Sequence, residues 1–177
     1  MAQNIFLGST SRDLKDVRAV LRNFIPALGF ELICFEDPKF KKEPGKHAHD
    51  MCLDNVMTCN IYVLIIDETF GDEYKGRNAE FNGRSVTWAE VEVALNNNKI
   101  ICVFVRRNVW LEKSTWAWNR DKYNINIRPY YAKDTRVFEF IEYMATRSKD
   151  NWIDQFDDIE ELKTQMKNRL SPMLDER

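Results

Sequence analysis

Two glutamates, Glu90 and Glu92, stand near the start of the segment GRSVTWAEVEVALNNNKIICVFV, residues 83–105. A carboxylate beside a pocket can act as a nucleophile or stabilise a cation that develops during a reaction. The apolar periodicity predicts a helix here, on which the two glutamates lie about 160° apart. Each flanks the apolar stripe of Val91 and Ala94, so helical geometry selects neither as the reacting group.

A structural role for Glu90 is equally compatible with the sequence. Thr87-Trp88-Ala89-Glu90 fits a capping box, in which the Glu90 carboxylate accepts a hydrogen bond from the backbone N–H of Thr87. In that arrangement Glu90 only stabilises the start of its helix.

Further polar residues follow two predicted strands. Gly8-Ser9-Thr10-Ser11 comes after the apolar run NIFLG and opens a helix, so its N–H groups could bind an anion such as phosphate, or its hydroxyls could cap the helix. Asp67 follows the run IYVLII and is either a site residue or a turn residue. The 18-residue loop that begins with Asp67 leads to Ser85, Thr87 and Trp88. A loop of that length is often functional.

The elements that must position these residues alternate between strands and helices. Strands are predicted at residues 4–8, 31–36, 61–66 and 99–105, with helices after the first strand, over 51–60 and around Glu90. This order predicts an α/β fold, a three-layer flavodoxin-like parallel sheet of four to five strands flanked by helices. Two C-terminal helices are predicted after the aromatic segment 109–131, and residues 1–177 are expected to form one domain.

Composition excludes several classes of protein. The chain of 177 residues is 44% hydrophobic and 31% charged, with a net charge of −2, so neither disorder nor nucleic-acid binding is expected. No apolar run reaches the roughly 20 residues of a membrane span, and the N-terminus does not resemble a signal peptide. We expect a cytoplasmic protein with reduced cysteines and no membrane association. His47 and His49 lack a ligand framework around them, so no metal is expected.

Several motifs occur together in the order typical of bacterial TIR-like (Toll/interleukin-1 receptor-like) domains. These are FLGSTSRDLKDVRAVL, CLDNVMTCNIYVLII, Phe70-Gly71, and Ser85-x-Thr87-x-x-Glu90-x-x-x-Ala94 before Lys99 and an apolar strand. The glutamate four residues before an alanine is also similar to nucleoside deoxyribosyltransferases. The resemblance covers residues 4–105 and leaves 106–177 unmatched.

The resemblance implies that Glu90 is the catalytic glutamate and that Glu92 is not. It also implies nucleotide contacts from Gly8, Ser9, Thr10, Ser11, Asp67, Phe70, Gly71, Ser85, Thr87 and Trp88. The sequence departs from the family in having Gly-Ser-Thr rather than two serines, with no aromatic residue following. Phe6, Phe35, Phe70 and the tryptophan-rich segment are the candidates for stacking on a base.

The implied activity is cleavage of the nicotinamide–ribose bond of NAD⁺, which is a substrate here and not a permanently bound cofactor. Nicotinamide leaves from a cation as a neutral molecule, so a lone carboxylate is sufficient. The implied context is bacterial anti-phage defence or signalling, with self-association or an effector protein as partner. Two alternatives stay open: nucleoside or nucleotide base exchange with Glu90 as nucleophile and Asp67 as a second carboxylate, and a non-catalytic adaptor acting through TIR-like contacts.

Overall fold

A computed structural model describes residues 3–10, 12–149 and 151–175 of the chain. Within these residues, five strands form one sheet in the order β2-β1-β3-β4-β5, and each neighbouring pair is parallel. The strands are β1 (Asn4–Ser9), β2 (Glu31–Ile33), β3 (Ile61–Ile66), β4 (Ile100–Arg106) and β5 (Ile153–Phe156). The helices are α1 (Lys15–Ala27), α2 (Ala48–Met57), α3 (Val86–Asn96), α4 (Arg107–Tyr123), α5 (Arg136–Ala145), α6 (Ile159–Leu170) and α7 (Pro172–Asp175). The predicted flavodoxin-like α/β architecture with extra C-terminal helices is confirmed.

Strand β3 lies in the middle of the sheet, and all of its side chains are buried. Ile61, Val63 and Ile65 pack with α1 and α6 on one face of the sheet. The intervening residues, Tyr62 among them, pack with α2, α3, α4 and α5 on the other face. Because both faces are covered by helices, the strand is apolar at every position.

The chain changes direction across the sheet at β1. It leaves β1 through α1 to β2 on one side, and then crosses through α2 to β3 on the opposite side of β1. In open α/β sheets the connections diverge at such a point and leave a crevice at the carboxyl ends of the strands. The crevice lies between β1 and β3.

The start of α1 differs from the prediction that a serine or threonine caps it. The N-cap is Leu14, which makes no side-chain capping bond. Thr10 instead donates a hydrogen bond to the Asp13 carboxylate, which also accepts from the backbone N–H of Thr69 at 3.2 Å. Asp13 therefore ties the loop after β1 to the loop after β3.

The last third of the chain contains two elements that the sequence pattern did not reveal. Helix α4 occupies much of the aromatic segment, where Trp116 is buried and Trp118 is 54% exposed, so no clear apolar stripe marks the helix. Strand β5 lies at the sheet edge with only Phe156 fully buried, and its sequence IDQF lacks the apolar character of the central strands. None of the described helices has the length and apolar character of a membrane span.

Gly8 makes room for Tyr62 beneath the crevice. The Tyr62 ring stacks on Phe6 of β1 with 5.7 Å between ring centroids and an interplanar angle of 8°. A Cβ atom on residue 8 would lie 1.8 Å from the Tyr62 hydroxyl oxygen and 2.3 Å from its ring carbon Cζ. Gly8 is thus required by the position of the tyrosine ring.

We expect Gly8→Ala to destabilise the protein by about 1–3 kcal/mol, because the added methyl group overpacks a filled site. The matched background is Tyr62→Leu, which removes the ring end that the methyl group would meet. Denaturant unfolding of the four proteins should show a smaller cost of Gly8→Ala in the Tyr62→Leu background. Equal costs in both backgrounds would contradict the steric explanation.

Candidate active site

A pocket of about 460 Å³ opens at the carboxyl ends of β1 and β3. This volume is within the range of about 300–1,000 Å³ that is usual for small-molecule sites. The buried residues that line it are Phe6, Leu7, Arg18, Cys52, Phe70, Thr87 and Glu90. The residues at its mouth include Arg12, Asp72, Lys133, Asp134 and Arg136.

Glu90 reaches the pocket from the second turn of α3. That helix is capped by Ser85, whose hydroxyl accepts from the backbone N–H of Trp88 at 3.2 Å. The capping box on Thr87 is therefore wrong, and Glu90 has a different partner. Its carboxylate accepts a hydrogen bond from the Tyr62 hydroxyl at 2.8 Å, and the residue is only 6% exposed.

Burial raises the pKa of Glu90 from its usual 4.5 to about 7. Three neighbours act in the opposite direction: the hydrogen bond from Tyr62, the positive charge of Arg18 and the Cys52 thiol each lower this pKa. Donors and cations favour the charged carboxylate, whereas loss of water disfavours it. Glu90 is consequently balanced between its two protonation states near neutral pH.

Arg18 lies on helix α1 and lines the pocket. Its buried guanidinium donates two hydrogen bonds to the Glu36 carboxylate, at 2.7 and 2.6 Å, and one to the Ser9 hydroxyl at 2.8 Å. Because Glu36 balances most of the Arg18 charge, Arg18 offsets only part of the cost of burying Glu90.

Glu92 lies on a different side of α3. It forms an ion pair with Arg84, accepts from the Trp88 indole N–H at 3.3 Å, and does not line the pocket. The two glutamates that the sequence could not distinguish are thus placed in different surroundings.

Six of the predicted site residues line the pocket together, namely Ser9, Thr10, Phe70, Gly71, Thr87 and Glu90. Gly8 lies behind the pocket against Tyr62. Ser11 lies outside the described residues. Phe6 and Phe35, two of the candidates for stacking on a base, also line the pocket, whereas the tryptophan-rich segment does not.

Three predicted residues do not reach the pocket. The Asp67 carboxylate pairs with Arg106 at 3.0 Å, and Ser85 is buried as the helix cap. Trp88 stacks on Phe140 of α5, with 4.7 Å between ring centroids and an angle of 16°. The apolar contact with α5 therefore directs the indole away from the nucleotide site that the resemblance implied.

Sequence reasoning missed several residues of the pocket. The sequence pattern indicates no pocket role for His49 or Cys52, yet both line the pocket from α2. Lys133 and Arg136 come from the unmatched C-terminal third and belong to no recognisable motif. The described residues include no cluster of three or more His, Cys, Asp or Glu side chains arranged to hold a metal ion.

Ion pairs hold the mouth of the pocket in place. Lys133 pairs with Glu68 at 2.9 Å, and its backbone N–H donates to the Glu68 carbonyl at 2.7 Å. Arg136 pairs with Glu73 at 2.7 Å and lies over the Phe70 ring, 4.4 Å from its centroid. The loop after β3 is thereby joined to the start of α5 and the residues just before it.

The chain belongs to the family described as Domain of unknown function (DUF4062), whose family model matches residues 4–171. The match includes the C-terminal third, which the resemblance over residues 4–105 left out. A search of curated proteins gives no significant match.

Among solved structures, the chain is similar to the CMP N-glycosidase BcmB of Clostridium botulinum. The two share 14% sequence identity with a TM-score of 0.50, over 95% of this chain and 100% of that one. At this identity the similarity shows a common fold.

The pKa of Glu90 predicts a stability change with pH that Glu90→Gln should remove. Because the folded protein holds this proton more tightly than the unfolded chain, the contribution of Glu90 to stability falls as pH rises from 4.5 to about 7. Between pH 5 and pH 8, the free energy of unfolding of Glu90→Gln should therefore rise by about 2–3 kcal/mol relative to that of the wild type.

The measurement is denaturant unfolding at both pH values, with Glu92→Gln as the matched control on the same helix. If Glu90→Gln and the wild type respond to pH alike, Glu90 does not have a raised pKa.

Proposed function

We propose that this protein cleaves the N-glycosidic bond between the base and the ribose of a nucleotide, with Glu90 as the catalytic carboxylate. The observation that carries the proposal is a carboxylate at the buried end of an open pocket, held by Tyr62 at 2.8 Å. A fold shared with a CMP N-glycosidase adds support.

The chemistry requires stabilisation of a cation at the ribose. As the bond from C1′ to the base nitrogen breaks, its electron pair leaves with the base and the ribose becomes oxocarbenium-like. The ionised Glu90 carboxylate stabilises this charge from a site largely shielded from water, where its field is strong. Water then bonds to C1′ and loses a proton, and a neutral base such as cytosine departs with one proton gained.

Tyr62 and Cys52 position Glu90 for this role. Both lower the pKa of Glu90, so they favour the ionised form that can face a cation. The hydrogen bond that Tyr62 donates to one carboxylate oxygen also fixes the orientation of the group.

The phosphate of the substrate fits the mouth of the pocket. Arg12, Lys133 and Arg136 lie there, each side chain at least 40% exposed and paired with acidic residues of the protein. A phosphate group can share these cations, and the loop that carries Ser9 and Thr10 offers hydroxyl groups beside them.

NAD⁺ is one candidate substrate of this site, through the TIR-like resemblance, and nucleoside monophosphates are the other. The TIR-like identity, the role in defence and the self-association depend on the first candidate. Nucleoside monophosphates are favoured by the shared fold with a CMP N-glycosidase, and both candidates need the same carboxylate.

The test is chromatography of CMP, UMP, AMP, GMP and NAD⁺ after incubation with wild type, Glu90→Gln and Glu92→Gln. We expect wild type and Glu92→Gln to release free base from at least one of these compounds. Glu90→Gln should be about 10²–10³-fold slower, because the charge that stabilises the transition state is lost.

Circular dichroism of the three proteins controls for folding. Base release by Glu90→Gln at the wild-type rate would show that Glu90 is not the catalytic residue. A wild type that releases no base from any of the five compounds would overturn the proposed function.

A further inference from the structure

His49 is a polar group of the pocket that the mechanism above does not use. It stands at the start of α2, one turn before Cys52, and both residues line the pocket together with Phe35. Cys52 acts on the Glu90 carboxylate, so this wall continues from the reacting end of the pocket. Phe35, which follows β2, is 49% exposed and provides an apolar ring to the same pocket.

The hydrogen bonds of His49 define which ring nitrogen carries the proton. Its Nδ1 atom accepts from the backbone N–H of Lys75 at 3.0 Å. The neutral ring therefore has its proton on Nε2, for which the described residues provide no hydrogen-bond partner. Nε2–H is the donor that this side chain can offer to a ligand.

The surroundings keep His49 neutral. Burial lowers the pKa of His49, and the nearby His47 and Lys75 lower it further, against the opposing effect of Asp50 and Asp72. At neutral pH the ring is thus a fixed hydrogen-bond donor and carries no charge.

A neutral hydrogen-bond donor stabilises some leaving groups more than others. A pyrimidine or purine base gains negative charge as its glycosidic bond breaks, and its edge carries carbonyl or ring-nitrogen acceptors. A donor placed against that edge stabilises the departing base. The nicotinamide of a pyridinium nucleotide leaves from a cation and becomes neutral, so no negative charge develops on it. Its stabilisation by such a donor is therefore smaller.

In an inference that rests on the proposed function, we propose that Phe35 and His49 form the subsite for the base. His49 Nε2–H donates a hydrogen bond to an acceptor on the edge of the departing base. The substrate class is then a nucleotide with a neutral base whose edge accepts hydrogen bonds, in preference to a pyridinium nucleotide. His49 is a catalytic residue in this scheme because it contacts the leaving group.

The test compares CMP with nicotinamide mononucleotide in two variants. His49→Phe keeps a flat ring but removes the donor, and His49→Gln restores an N–H group. We expect His49→Phe to lower kcat/KM for CMP at least tenfold, as loss of one good hydrogen bond does, and to change the value for nicotinamide mononucleotide less than threefold. His49→Gln should recover part of the loss on CMP.

Calorimetric binding to Glu90→Gln protein, with and without His49→Phe, separates this inference from the proposed function. A selective loss of CMP affinity supports the base subsite even if no base is released by the wild type. Equal effects on both nucleotides, or binding of neither, would overturn the subsite. If His49→Phe weakens both nucleotides equally but base release still depends on Glu90, the proposed function stands and only the base subsite is overturned.

Discussion

The hydrogen bond between Tyr62 and Glu90 is the interaction on which the rest of the site depends. It joins the central strand of the sheet to helix α3 across the crevice, at 2.8 Å and largely out of contact with water. The tyrosine ring reaches this position only because residue 8 is a glycine, and the glutamate only because Ser85 sets where α3 begins. The position of the Glu90 carboxylate therefore depends on the same packing that forms the sheet and the crevice.

Burying a carboxylate opposes folding, and the protein only partly offsets this cost. Arg18 is close enough to lower the pKa of Glu90, but its charge is shared with Glu36. A fully paired glutamate would be ionised and stable, yet its charge would be unavailable to a substrate. In the proposed mechanism, this partial compensation leaves the charge of Glu90 available to a developing cation, at a cost in stability.

The fold was predictable because its central strands are apolar throughout and alternate with helices. The choice between Glu90 and Glu92 was not predictable from helical geometry, since it depends on Tyr62, 28 positions away in the sequence. The resemblance implies a nucleotide contact for Trp88, and nothing in the sequence spacing shows that Phe140 of a later helix stacks on it. Residues such as Arg136 enter the pocket through contacts between distant loops, for which the sequence has no local signal.

The measurement that tests this account most directly is ¹³C NMR titration of the glutamate carboxyl carbons, with the Glu90 signal assigned by its loss in Glu90→Gln. The account predicts a midpoint near pH 7 for Glu90, and a higher midpoint in Tyr62→Phe because the hydrogen bond that lowers the pKa is removed. A midpoint near the usual 4.5, unchanged in Tyr62→Phe, would contradict the buried, tyrosine-held carboxylate from which the proposed chemistry follows.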